Sequence, residues 1–155
     1  MDFAYIPFDR ATITLEQYRR WVVSHTEDVQ QLMTKVIDDL SEKRKVHDWT
    51  KLANLPLFYK DEKNKKGNWC DGVYESRTLH TTKERHHLNQ NCPQDVNLFD
   101  VIEMVTDCVA ANRARKEPDR PNQIDVVSKE VLLKAYANTI TLIGKWADDI
   151  KKVGK

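Results

Sequence analysis

The sequence predicts an all-α chain. Three observations carry that expectation. Apolar residues recur at alternating three- and four-residue steps along most of the length, the period of a helix with one buried face. No segment alternates apolar and polar residues convincingly enough to suggest a strand. Breaks between the apolar stripes fall at prolines, at Pro56, Pro93, Pro118 and Pro121, where a helix is expected to stop or restart. At 155 residues, 40% hydrophobic and 32% charged, the chain has the length and composition of one ordinary domain, spanning 1–155. There is no internal repeat and no low-complexity tract.

Residues 1–13 read as an N-terminal arm, with Phe3, Tyr5, Ile6 and Phe8 around Pro7. A first helix starts after Thr14, because Thr14-x-x-Gln17 fits a capping box. Its stripe is Tyr18, Val22, Val29, Leu32, Val36 and Leu40, and His25 fills the missing step, so His25 is expected to face inward. Ser41–Lys45 is charged and reads as a turn. His47-Asp48 then opens or sits in a short second helix that ends before Pro56. The lysine-rich stretch 60–73, with Gly67 and Gly72, reads as a mobile loop.

A third helix is expected from Tyr74 to Asn89. It would carry His80, Glu84 and His87 on one face and turn His86 elsewhere, since residues seven apart lie about 20° from alignment and residues six apart about 120°. A fourth helix, from about Asn97 to Lys116, has Leu98, Val101, Ile102, Val105, Cys108 and Val109 as its apolar side and Asp100, Glu103 and Asp107 as its acidic side. The last, from about Ser128 to Val153, has Leu132, Tyr136, Ile140, Ile143, Trp146 and Ile150 as its stripe.

The net charge of +1 argues against a stable electrostatic grip on nucleic acid or on an anionic membrane. No run approaches the roughly 20 apolar residues of a membrane span, and the N-terminus lacks the basic and apolar regions of a signal peptide. Cys70, Cys92 and Cys108 show no paired spacing, as expected of reduced thiols. These features together predict a cytoplasmic protein.

The chemistry concentrates in histidines and acids. All five histidines lie between His25 and Asp107. Imidazole and carboxylate together suit a borderline divalent metal ion, and an ion needs ligands from several elements because one helix turn cannot surround it. The helices offer His25, then the adjacent His47-Asp48, then Asp107: two imidazoles and two carboxylates, with positions left for water or a phosphate oxygen. Taken singly, each has a plainer reading. A histidine on an apolar stripe is usually a core residue, and an aspartate on a helix is usually a solvated one.

That order, one His, an adjacent His-Asp and a distant Asp, resembles the HD superfamily of metal-dependent phosphohydrolases. The longer pattern is also similar to a family of small bacterial and phage proteins with no assigned reaction. It reads HDWTK, then Phe58-Tyr59, the His80 to His86-His87 spacing, and DVNLFDVIEMVTD, over about residues 20–115. The resemblance implies a single-domain HD-type helical bundle. His25, His47, Asp48 and Asp107 would hold a Mn, Co, Ni, Fe or Zn ion that acidifies a water molecule.

It further implies a small phosphorylated substrate, a nucleotide by class, in the cytoplasm, or in the host cytoplasm if phage-encoded. Where many HD nucleotidases carry a glutamate one turn after the His-Asp pair, this chain has Lys51. A lysine can grip phosphate but cannot be the same base, which leaves Glu84 or the ion to activate water. Lys51, His80, Glu84 and His87 are therefore the expected catalytic residues, with Arg77 and Lys83 as phosphate contacts. Two alternatives stand beside this reading: a di-iron oxygenase using His80 and His87, and a non-catalytic metal-containing binding or inhibitor protein. The sequence is compatible with a homo-oligomer.

Overall fold

A computed structural model describes residues 12–64, 74–115 and 126–153 of the chain. The fold is all-α. Among the described residues there are six helices and no strand: α1 (Leu15–Val46), α2 (Trp49–Ala53), α3 (Leu55–Asn64), α4 (Glu75–Lys83), α5 (Leu98–Arg115) and α6 (Lys129–Val153). None of these helices is long and apolar enough to cross a membrane. Contacts divide the chain into two compact units. One holds α1 as far as Ser41 and α6 from Ile140 onward; the other runs from Glu42 to Thr139.

The start of α1 is the capping box read from the sequence. The Thr14 backbone N–H donates to Gln17 Oε1 at 2.9 Å, and the Gln17 N–H donates to Thr14 Oγ1 at 3.2 Å. The helix does not stop at Ser41–Lys45, as the charge run suggested. Glu42, Lys43, Arg44 and Lys45 are good helix formers, and the basic residues suit the negative C-terminal end of the helix. The stripe of α1 is only partly covered: no residue of the helix is fully buried, and Tyr18, Val22 and Val29 are exposed.

The short second helix, α2, ends before Pro56 as expected, and a further helix, α3, follows it directly. Pro56 lies at the second position of α3, where its missing N–H would have had no helical partner anyway, so it begins a helix and does not end one. Asp61 to Asn64 belong to α3 and not to a loop. The rest of the lysine-rich stretch, the aromatic arm as far as residue 11, Cys70 and the Pro118–Pro121 linker lie outside the described residues.

In the Glu42–Thr139 unit the core is small: Leu88, Val96, Met104 and Ala135, with Cys92, Leu98, Val101, Cys108, Val127 and Val131 packed on it. Helices α2, α3 and α4 pack on one another. On α6 the buried residues are Ala135 and Thr139, whereas Leu132, Tyr136 and Ile140 of the expected stripe are exposed. Polar bonding decides that register. Thr139 Oγ1 accepts the Leu98 N–H at 2.8 Å and donates to the Ala135 carbonyl at 2.7 Å, and Asn138 donates to the Val96 carbonyl at 2.8 Å. Small side chains let α6 close onto the first turn of α5, whose orphan N–H needs an acceptor.

Asp100, read as part of an acidic surface, is fully buried. It completes a second capping box. Asn97 Oδ1 accepts the Phe99 and Asp100 N–H groups, and Asp100 Oδ2 accepts the Asn97 N–H at 3.0 Å. Lys43 (2.7 Å) and Arg85 (2.9 Å) neutralise its charge.

Candidate metal centre

The His47-Asp48 pair forms the turn between α1 and α2. Asp48 is the N-cap of α2 and takes the left-handed conformation, φ 59° and ψ 22°. Among the described residues it is the only non-glycine with positive φ. Aspartate is one of the few side chains that tolerates this region, and a residue held there invites a functional explanation. Its carbonyl accepts the Lys51 N–H at 3.0 Å, which starts α2 and holds the turn.

His47 Nδ1 lies 3.0 Å from Glu103 Oε1 on α5. A carboxylate can only accept, so Nδ1 carries a proton, and in the neutral ring Nε2 keeps its lone pair. That lone pair faces Asp48 Oδ2 at 3.7 Å and Asp107 Oδ1 at 3.6 Å. Glu103 and Asp107 are one helical turn apart on the same face of α5.

The other histidines arrive by a route that differs from the expected one. α4 ends at Lys83, and Glu84 turns to φ −87°, ψ 127°. Tertiary bonds take over there: Glu84 accepts from Thr50, and Arg85 binds Asp95 and Asp100. His86 and His87 therefore sit on a turn segment, not on the face of a helix. His86 is almost completely buried. Its Nε2 is 3.9 Å from both Asp48 Oδ1 and Asp107 Oδ2, and its Nδ1 is 3.3 Å from Glu103 Oε1. His80 Nε2 is 3.3 Å from Asp48 Oδ1. The ring centroids of His86 lie 4.7 Å from His47, 5.6 Å from His80 and 4.4 Å from His87.

Among the described residues, three overlapping groups of ligand atoms could hold a metal ion: His47, Asp48 and Asp107; His47, His86 and Glu103; and His80, His86 and His87. The spacing fits. Donors about 2.0–2.2 Å from one ion stand roughly 3–4 Å from one another, and the Nε2–carboxylate separations above fall in that range. They are also too long for good hydrogen bonds. Asp48 Oδ1, His80 Nε2, both nitrogens of His86 and His87 Nε2 are buried without a hydrogen-bond partner. Buried polar atoms are seldom left so, and here they converge.

The electrostatics of His80 and His87 agree with lone pairs pointing inward. Burial, the nearby Lys51 and His87 push His80 down to about 3. Burial and His86 push His87 down to about 4. Both are neutral imidazoles over the ordinary pH range. Burial would lower His47 too, but its bond to Glu103 and the charges of Asp48 and Asp107 outweigh it and raise the group. Asp48 and Glu103 resist the upward push of burial and lie below the usual carboxylate range, Asp48 through Lys51 and Glu103 through His86 and His47.

Of the residues singled out by sequence, the structure brings together His47, Asp48, Asp107, His80 and His87, with Lys51 ion-paired to Asp48 Oδ2 at 2.7 Å. His25 is a correction. It is exposed and stacks on Trp21, one turn earlier, with centroids 5.5 Å apart, and it belongs to the other compact unit. It is neither inward-facing nor in any of the ligand groups. Stacking on an aromatic neighbour is the satisfied state of an amphipathic ring on an open helix face.

Glu84 stands against Thr50, its Oε1 accepting both the Thr50 N–H (2.9 Å) and hydroxyl (2.8 Å). Arg77 is half-buried on α4 and Lys83 exposed at its end, and the cluster is built without either. Sequence reasoning passed over Thr50 and Glu103, and it turned His86 away from the cluster. Glu103 carried a signal, its one-turn spacing from Asp107. His86 carried none, because its direction depends on where α4 stops.

A small, open cleft lies beside the cluster, with His86, His87, Asp107, Met104 and Cys108 in its lining. These features define an all-helical protein with a buried histidine–carboxylate centre. The chain belongs to the DUF5662 family, described as a family of unknown function, over residues 14–143. No curated protein and no solved structure matches it.

Proposed function

We propose that this chain is a metal-dependent phosphohydrolase acting on a nucleotide or related phosphoester. The observation that carries the reading is the pair of buried, unpartnered imidazole nitrogens, His80 Nε2 and His86 Nε2, facing the Asp48 and Asp107 oxygens at ligand spacing. Lone pairs that face carboxylates across 3.3–3.9 Å repel unless a proton or a metal cation lies between them, and a divalent cation can serve several of these pairs at once. The order His47-Asp48 then Asp107 is also that of the HD superfamily, with His86 supplying the imidazole first sought in His25.

In this reading His47, His86, Asp48 and Asp107 hold a divalent ion. When bound, such an ion polarises a phosphoryl oxygen and makes water acidic enough to act near neutral pH. Glu103 fixes the ring of His47 and secures its tautomer. Lys51 is two-fifths exposed, so it can leave Asp48 and bind a phosphate oxygen as a point charge. His80 and His87, held neutral, suit ligand or acceptor roles and not protonation of a leaving group. Free Cys92 and Cys108 fit a cytoplasmic setting.

Elemental analysis, with a phosphate-release screen over nucleotides in Mn, Co, Ni, Fe or Zn, tests the reading. It expects bound metal and metal-dependent release. Bound metal with no turnover on any phosphoester would favour a non-catalytic metal-binding protein. That second reading draws on the Lys51–Asp48 ion pair, which occupies one ligand oxygen.

A further inference from the structure

Between α2 and α4 lies a chain of three buried polar residues, Glu84, Thr50 and His80. Its protons can be placed from geometry alone. Glu84 Oε1 lies 2.9 Å from the Thr50 backbone nitrogen and 2.8 Å from Thr50 Oγ1. A carboxylate has no proton to give, so both Thr50 groups donate to it. The single hydroxyl proton is thereby committed. His80 Nδ1 lies 2.8 Å from the same Oγ1. What remains on that oxygen is lone pairs, so His80 Nδ1 must be the donor. In the neutral ring its Nε2 is then an unprotonated acceptor, buried without a partner and 3.3 Å from Asp48 Oδ1, which is itself buried without a partner.

We propose that Glu84 and Thr50 are positioning residues that lock His80 in the Nδ1–H tautomer, making His80 Nε2 and Asp48 Oδ1 a preset ligand pair for a divalent cation. The inference rests on the metal reading above and assigns Glu84 a place different from that of a general base. A base must offer a free lone pair toward water in the cleft. Glu84 is buried, its Oε1 is engaged by two donors from Thr50, and it is not among the residues that line the cleft. The turn at Glu84 and the start of α2 are pinned by the same bonds, so the relay also fixes where the His80 ring stands relative to Asp48. Outer partners of ligand histidines commonly act in this way on tautomer and ring orientation.

Two measurements test it. In metal-free wild-type protein labelled with ¹⁵N-histidine, long-range ¹H–¹⁵N spectra read the tautomer directly, with His80→Asn identifying the signals by difference. His80 is expected to be protonated at Nδ1 and bare at Nε2; an Nε2–H tautomer overturns the proposal, whether or not any variant folds. Cobalt(II) titration, followed by its visible absorption, reads the ligand pair. Thr50→Ser and Glu84→Gln keep the hydroxyl and the acceptor, and should bind within about threefold of wild type. Thr50→Val and Glu84→Ala remove them, and should bind about 10–100-fold more weakly.

If Thr50→Val and Glu84→Ala fold and bind cobalt like wild type, the relay is wrong while the metal centre stands. If wild type binds no cobalt, both fail. A general base at position 84 would show the opposite pattern: Glu84→Gln would abolish turnover with cobalt binding intact.

Discussion

At the scale of single residues, Asp48 joins backbone and chemistry. Its left-handed conformation is one that aspartate and asparagine tolerate and branched side chains do not. Asp48→Asn should therefore fold, losing no more than about 1 kcal/mol for the half-exposed Lys51 pair, yet should lose its metal. Asp48→Val should cost about 1–2 kcal/mol more through backbone strain. Urea denaturation and elemental analysis on the same samples separate the two effects.

His47→Ala should also lose metal. His86→Ala should be at least as damaging as His80→Ala or His87→Ala, because His86 reaches toward both Asp48 and Asp107. An exposed helix face would have made it the mildest of the three. Lys51→Ala should raise KM with metal content kept or increased, since it frees an Asp48 oxygen. Loss of metal in that variant would remove Lys51 from the substrate side.

At the scale of elements, the first turn of α5 ties the site to the fold. Asp100 caps that helix, holds Lys43 of α1 and receives Arg85 from the segment that carries His86 and His87. Burial would raise its pKa, but Arg85, Lys43 and the Asn97 N–H outweigh that and hold it below its usual 3.8. A group depressed in the folded state contributes stability above its unfolded pKa and loses it as pH falls through the lower folded value. Asp100→Asn should thus destabilise by about 3 kcal/mol at pH 7, the lower end for removing one partner of a buried pair, because Arg85 keeps some contact with water.

The gap between wild type and variant should narrow below about pH 4. Denaturation midpoints at pH 7 and at acid pH measure it. A gap that is constant with pH would mean the carboxylate's charge is not what stabilises this corner. The helix starts were legible locally: Thr14 with Gln17, Asn97 with Asp100, and Ser128, whose Oγ accepts the Val131 N–H. The end of α4 was not, since no residue from 83 to 89 is a proline or a glycine. The chain leaves the helix there because Thr50 and Asp100, distant in sequence, bind Glu84 and Arg85.

At the scale of the whole molecule, a centre crowded with carboxylates and lone pairs should make folding depend on the ion. A ligand bound only by the native state, present at 100 times its dissociation constant, adds about 2.7 kcal/mol. For a chain of this length that corresponds to a Tm shift of about 5–10 °C. Calorimetry before and after chelation, then with cobalt restored, checks it. An unchanged Tm in protein shown to bind cobalt would mean that the ion also binds the unfolded chain.

By itself the sequence determined the all-helical class, the starts of α1, α5 and α6 and the adjacency of His47 and Asp48, and its resemblance to the HD pattern pointed to Asp107. Periodicity, capping and adjacency are local, and the chain carries them wherever it folds. Only the tertiary structure decided which histidine joins that pair. His25 had the better helical position, but its ring stacks on Trp21 in the other compact unit. His86 had the worse one, and it reaches Asp48, Glu103 and Asp107 because long-range bonds end α4 three residues before it. A side chain's direction follows from the backbone beneath it, and that backbone was set by partners the local sequence does not contain.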